Sequence, residues 1–186
     1  MPFIPKNRTQ LGKGPTSSVD CGPRMVQVAM AYGRRSDGGG PSLANIRYRM
    51  NHVGAQPTNV WDQYAALQGY GPTRAWMNHS PAGVKRALKA GRLVLISVDY
   101  RRLRQELASV GSRTFMGGHS VALLGFWWVN GVAKVRLYDP LDDGRMAGIP
   151  DAPKGRVVRY DRVLAAAKAF GTPGAPVYSV ITDKDA

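Results

Sequence analysis

The sequence predicts an α+β fold in which N-terminal helices pack on a C-terminal antiparallel sheet, and three observations carry that prediction. The first half of the chain holds segments with helical apolar spacing and helical punctuation. The second half changes to β-branched and leucine-rich runs, and Asn130-Gly131 joins two of them as a hairpin turn. Helices first and an antiparallel sheet second is the α+β order. With 186 residues, 44% of them hydrophobic, the chain can bury one sizeable core without a second domain.

Each element follows in order. Residues 1–18 mix Pro, Gly, Lys, Arg and Thr without periodicity and read as an extended arm lying on a surface or a partner, with the domain spanning 19–186. In "DCGPRMVQVAMAYG" the N-cap falls on Asp20 or Cys21, Pro23 suits the first turn and Gly33 suits the stop. Met25, Val28, Ala29 and Tyr32 share one face of that helix. "DGGGPS" at 37–42 is a loop whose Ser42 caps a short helix, "LANIRYRM". Thr58 caps "NVWDQYAALQ", which ends at Gly69, and Ser80-Pro81 opens "PAGVKRALKA", which ends at Gly91.

"RLVLISVDY" at 92–100 is a buried strand, followed by a basic segment, 101–116, that carries no clear pattern. "HSVALLGFWWV" and "VAKVRLYDP" form the hairpin; a short helix in "DRVLAAAKAF" and a last strand in "PVYSVIT" complete the sheet. Trp127 and Trp128 point to opposite sides of one strand, so one faces the core and the other borders a groove or a contact surface.

Charge and cysteine content narrow the function classes. Lys and Arg number 26 against 12 Asp and Glu, a net charge of +14, which attracts polyanions such as nucleic acid, teichoic acid or anionic lipid. The basic residues are scattered rather than blocked, and no reading helix or aromatic stacking motif accompanies them. Nucleic acid is therefore a partner only through non-specific contact with a cationic surface. The single cysteine excludes an intramolecular disulfide. A zinc site built from it and the histidines lacks the required ligand spacing, so no metal or cofactor is expected. No apolar run is long enough to span a bilayer, and Pro2 and Pro5 break the N-terminus where a secretory signal would need an apolar stretch.

That one cysteine, Cys21, stands where a helix begins. The helix dipole and the unsatisfied backbone N–H groups there stabilise a thiolate. A nucleophilic thiol also needs a base, and His119 opens a strand in "MGGHSVALLGF", where Gly117 and Gly118 leave room for a substrate backbone. The imidazole in turn needs an orienting acceptor. Across a hairpin turning at Asn130-Gly131, residue numbers sum to about 261, which sets His119 opposite position 142 and close to Asp139. Taken singly these residues have plainer readings: a buried small hydrophobe for Cys21, a turn residue for His119, a strand end for Asp139-Pro140. It is their order that favours chemistry. His52 and His79 sit in loop-like "MNHVG" and "MNHSP" and read as surface residues.

"DCGP" before an amphipathic helix ending in "YG", then "GGHSVALLGF" and "VRLYDP", resembles the C39-like branch of the papain-like cysteine peptidases. The resemblance runs from about Val19 to the last strand and implies a papain-like fold. It implies Cys21 as nucleophile, His119 as general base and acid, and Asp139 as the residue orienting His119. One departure stands out. The family carries a Gln a few residues before the cysteine that helps bind the oxyanion, whereas this chain reads "GKGPTSSVD" there. Gln10, Ser17 or Ser18 are the candidate donors, beside the Cys21 backbone N–H.

By the same resemblance the substrate is a peptide: a bacterial cell-wall peptide or a protein processed during assembly. Stand-alone size, the missing secretion signal and the cationic surface suit a bacteriophage-encoded lysin or virion component, placed in a virion or in the host cytoplasm before lysis. The alternative is a weak or inactive peptidase fold kept as a structural component, for example of a phage particle, its N-terminal arm draped over neighbouring virion proteins. The missing Gln favours that alternative; Cys21, His119 and Asp139 favour the enzyme.

Overall fold

The computed structural model describes residues 5, 20–51, 58–70, 74–107, 118–140, 155–170, 177 and 179–183. Along them run α1 (Cys21–Arg34), α2 (Leu43–Arg49), α3 (Val60–Tyr70), β1 (Ala75–Asn78), α4 (Pro81–Lys89), β2 (Leu93–Asp99), α5 (Tyr100–Leu107), β3 (Gly118–Val129), β4 (Val132–Tyr138), β5 (Arg156–Arg159), α6 (Tyr160–Lys168) and β6 (Ser179–Thr182). The strands form one sheet in the order β1-β6-β2-β3-β4-β5, every neighbouring pair antiparallel. The expected architecture is therefore present, with β1 and β5 added at the edges of the sheet. The later helices cover the second face of the sheet.

The alternation of β2 shows why. Leu93 and Leu95 point into a core shared with Met25, Val28, Ala29 and Tyr32 of α1, Ile46 of α2 and Leu67 of α3. Val94, Ile96 and Val98 point the other way, onto Val84 and Leu88 of α4, Leu103 of α5 and Val163 and Ala166 of α6. A strand buried on both faces reads as an unbroken apolar run, as this one does. Each fully buried Leu, Ile or Val contributes roughly 1.5–3 kcal/mol relative to exposure, so the two cores hold α1 and β3 in fixed relation.

Several element ends differ from the sequence reading. Gly33 lies inside α1, and the left-handed cap is Arg35 at φ 54°. Thr58 does not cap α3. Asn59 does, its Oδ1 accepting from the N–H groups of Trp61 and Asp62 while its own N–H donates to the Asp62 carboxylate. Gly69 is helical rather than terminal, because α3 continues to Tyr70. Ser42 and Ser80 do cap α2 and α4, accepting from Asn45 and Gly83. The basic segment begins with α5, and the residues from 108 to 117 lie outside the described chain. Trp128 is 60% exposed and Trp127 half-buried, so neither fills the core.

The hairpin turns at Asn130 and Gly131, both at positive φ (48° and 73°), with Val129 opposite Val132. A bulge between Leu124 and Trp127, with Gly125 at φ 71°, then shifts the register so that Leu124 faces Arg136. That shift brings Asp139 nearer to His119 along the ladder than an unbroken hairpin would.

Candidate active site

Cys21, His119 and Asp139 meet at one end of the sheet. Cys21 is the first residue of α1, His119 the second of β3, and Asp139 directly follows β4. All three are buried, at 5%, 2% and 6% exposure. His119 Nε2 lies 2.8 Å from Asp139 Oδ1. The imidazole also adjoins the Cys21 thiol, close enough for each group to bias the ionisation of the other. Behind it stands Tyr100, the first residue of α5, whose ring meets the imidazole edge-on with centroids 4.6 Å apart. The ring is thus held by an acceptor and an aromatic edge, with the thiol beside it.

Electrostatics follow from this packing. Burial is the largest influence on the Cys21 thiol and opposes ionisation. The adjacent His119, with the backbone amides of Ser120 and Gly22, outweighs it and holds the thiol below its ordinary value. Burial likewise acts against a charged His119. The adjoining Asp139 carboxylate, its hydrogen bond and the thiol override that and hold His119 up at about 9. Both shifts favour the charged forms, a thiolate beside an imidazolium.

The start of α1 is fixed from two sides. Asp20 occupies the N-cap position but makes no side-chain cap. Its carboxylate instead takes a bidentate pair from Arg47 of α2, with Nε 2.8 Å from Oδ1 and the second nitrogen on Oδ2. The Gly22 amide of the first turn therefore serves the thiol. On the other side, a Cβ on Gly22 would overlap Thr58 Oγ1 and sit 3.3 Å from Gln63 Nε2. Gln63 is fully buried and donates to Ser120 Oγ at 2.7 Å, tying α3 to the residue after His119.

Arg47, Gln63 and Tyr100 were not singled out by sequence reasoning. Gln63 had a usable signal: it falls on the buried stripe of α3 with Val60 and Leu67, where an apolar residue is expected. Arg47 and Tyr100 had none, because their partners are set by tertiary packing. Gln10, Ser17, Ser18, His52 and Gly117 lie outside the described residues. His79 is exposed, with its ring 6.1 Å from that of Trp61. Beside Gly118, the space anticipated for a substrate is taken by the ring of Phe170. Among the described residues no cluster of His, Cys, Asp or Glu could hold a metal ion, and no helix is long and apolar enough to cross a membrane.

No protein-family model matches the chain, and no curated protein matches its sequence. Solved structures do. The peptidase domain of Streptococcus ComA, a bi-functional ABC transporter of a quorum-sensing pathway, is similar at TM-score 0.57 and 13% identity over 96% of this chain and 98% of that one. A protein designated a C39-like peptidase from Bacillus anthracis is similar at TM-score 0.57 and 14% identity, covering 96% and 94%. UfSP from C. elegans is similar at TM-score 0.51 and 12% identity, with 97% of this chain on 33% of that one. At these identities the likeness is one of fold, and the fold of this chain is that of the papain-like C39 peptidase domains.

Proposed function

We propose that the protein is a cysteine peptidase that cleaves a peptide amide bond through Cys21, His119 and Asp139. The observation that carries this reading is the buried chain of contacts from the Cys21 thiol through His119 to Asp139. The Cys21 thiolate attacks the carbonyl carbon and forms a tetrahedral intermediate. With Nε2 turned to Asp139, the imidazole serves Cys21 and the leaving group through Nδ1. It donates its proton to the departing amine, then takes one from water so that hydroxide resolves the acyl-enzyme. Asp139 fixes the ring and stabilises its charged form. The backbone N–H at the head of α1 supplies one oxyanion donor, and the second falls to Gln10, Ser17 or Ser18.

The net charge of +14 draws the chain toward anionic polymers, which makes bacterial cell-wall peptide the first substrate class and an assembly protein the second. Two measurements test this. Iodoacetamide labelling of Cys21, the sole thiol, should be rapid well below the free-thiol pKa of about 8.5 and should become slow there in His119→Ala. Incubation with purified peptidoglycan should release new amines, and Cys21→Ala should release none. Labelling that follows an ordinary thiol, unchanged by His119→Ala, would sink the reading.

A further inference from the structure

Resting on the peptidase reading, we infer that Phe170 walls the subsite for the residue that follows the scissile bond, and that this subsite selects a large apolar side chain. The chemistry sets the direction. The acyl half of the substrate stays on Cys21, while the amine half takes its proton from His119, so the residue carrying that amine lies on the His119 side of the thiol. On that side β3 begins with Gly118, an exposed residue directly before His119. The Phe170 ring packs so closely on Gly118 that a Cβ there would overlap its edge, the nearest atoms being Cε2, Cζ and Cδ2.

The ring is also anchored. Phe170 donates its backbone N–H to Ala167 O at 3.2 Å just past the end of α6, and Val163, Ala166 and Ala167 bury that helix in the core. The Phe170 side chain nonetheless leaves the residue 45% exposed. A single exposed apolar residue is ordinary on a protein surface. Its place is what distinguishes this one. Among the large exposed hydrophobics of the described residues, Phe170 is the one in contact with the backbone beside His119. A flat, open ring at that point gives a branched or aromatic side chain a surface to cover, and offers a glycine nothing.

The step that reads this subsite is acyl transfer. In the acyl-enzyme, an amine bound on the leaving-group side attacks the thioester carbonyl, the C–N bond forms as the C–S bond breaks, and the amine's proton passes through His119 to the Cys21 thiolate. p-Nitrophenyl acetate supplies the acetyl group, and phenylalaninamide and glycinamide compete as acceptors. The ratio of N-acetyl products, measured by chromatography, is independent of how fast each variant is acylated. Wild-type protein should favour phenylalaninamide by roughly tenfold or more, the range a filled apolar pocket provides. Phe170→Ala should bring the ratio near one, and Phe170→Leu should keep most of the preference. Gly118→Ala, which displaces the ring from the backbone side, should also lower it and serves if Phe170→Ala does not fold. A flat ratio in wild-type protein, or a preference that survives both Phe170→Ala and Gly118→Ala, would overturn the inference and leave the peptidase intact. Absence of an acetyl group on Cys21 in wild-type protein, read by mass spectrometry against Cys21→Ser, would overturn the peptidase reading and the subsite with it.

Discussion

Asp20, the residue directly before the thiol, is fully buried and spends its carboxylate on Arg47 of a different helix rather than on capping its own. A negative charge at this point would oppose a thiolate on the next residue. Arg47 neutralises it and at the same time ties α2 to the head of α1. Removing the cation from a buried pair costs about 3 kcal/mol or more, whereas replacing both partners is close to neutral. Arg47→Met should therefore lower the denaturant midpoint markedly, and Asp20→Asn with Arg47→Met should regain much of the loss. Urea titrations of the two variants check this. In the single variant, the pH midpoint of Cys21 alkylation should also move upward, because the carboxylate has lost its guanidinium.

Asp139 carries the upper end of the pH range. His119 is held up at about 9 by the Asp139 carboxylate and hydrogen bond against the opposing effect of burial. The linkage sign follows from a raised histidine: the stabilisation is fully present below the unfolded value of about 6.5 and is lost as pH rises through about 9. Asp139→Asn should therefore shrink the difference in stability between pH 6 and pH 9.5. It should also draw the alkaline limb of the activity profile toward neutral pH and reduce turnover on the order of 10³-fold or more, since the ring loses both its charge partner and its orientation. Cleavage rates and thermal melts across that pH span measure both effects. An alkaline limb that stays in place would show that another group controls it.

How far this was legible in the sequence depends on the range of the interaction concerned. The α1 stripe of Met25, Val28, Ala29 and Tyr32, the Ser42 and Ser80 caps and the Asn130-Gly131 turn are decided within a few residues, and the structure has each of them. The meeting of His119 with Asp139 was also legible, because a two-residue hairpin fixes cross-strand distance; the bulge at Gly125 changed only the register. The Asn59 cap had a local signature that the Thr58 assignment passed over, since Asp62 stands three residues on from Asn59. The four-residue edge strands β1 and β5 were missed because too few residues alternate in them to set a period. Arg47 and Phe170 were out of reach for another reason. Their partners, Asp20 and Gly118, become neighbours only when separate elements pack.

Gln63 and Ser120 offer the last test, because their bond joins stability to thiol chemistry. Gln63 lies on a stripe that is otherwise apolar, is fully buried, and donates to Ser120 Oγ at 2.7 Å. The Ser120 backbone amide is in turn one of the groups that hold the Cys21 thiol below its ordinary value. If Gln63 served packing alone, Gln63→Leu would be tolerated at a polar cost and would leave the thiol unchanged. A positioning role predicts more. Gln63→Leu should destabilise by about 1–3 kcal/mol, through a buried hydroxyl left without its donor. It should also shift the alkylation midpoint of Cys21 upward, because the Ser120 amide is no longer held against the thiol. Ser120→Ala should cost less, and the double variant should cost less than the sum, with a coupling of about 1 kcal/mol. Strict additivity together with an unmoved alkylation midpoint would reduce Gln63 to a filler of the α3 interface.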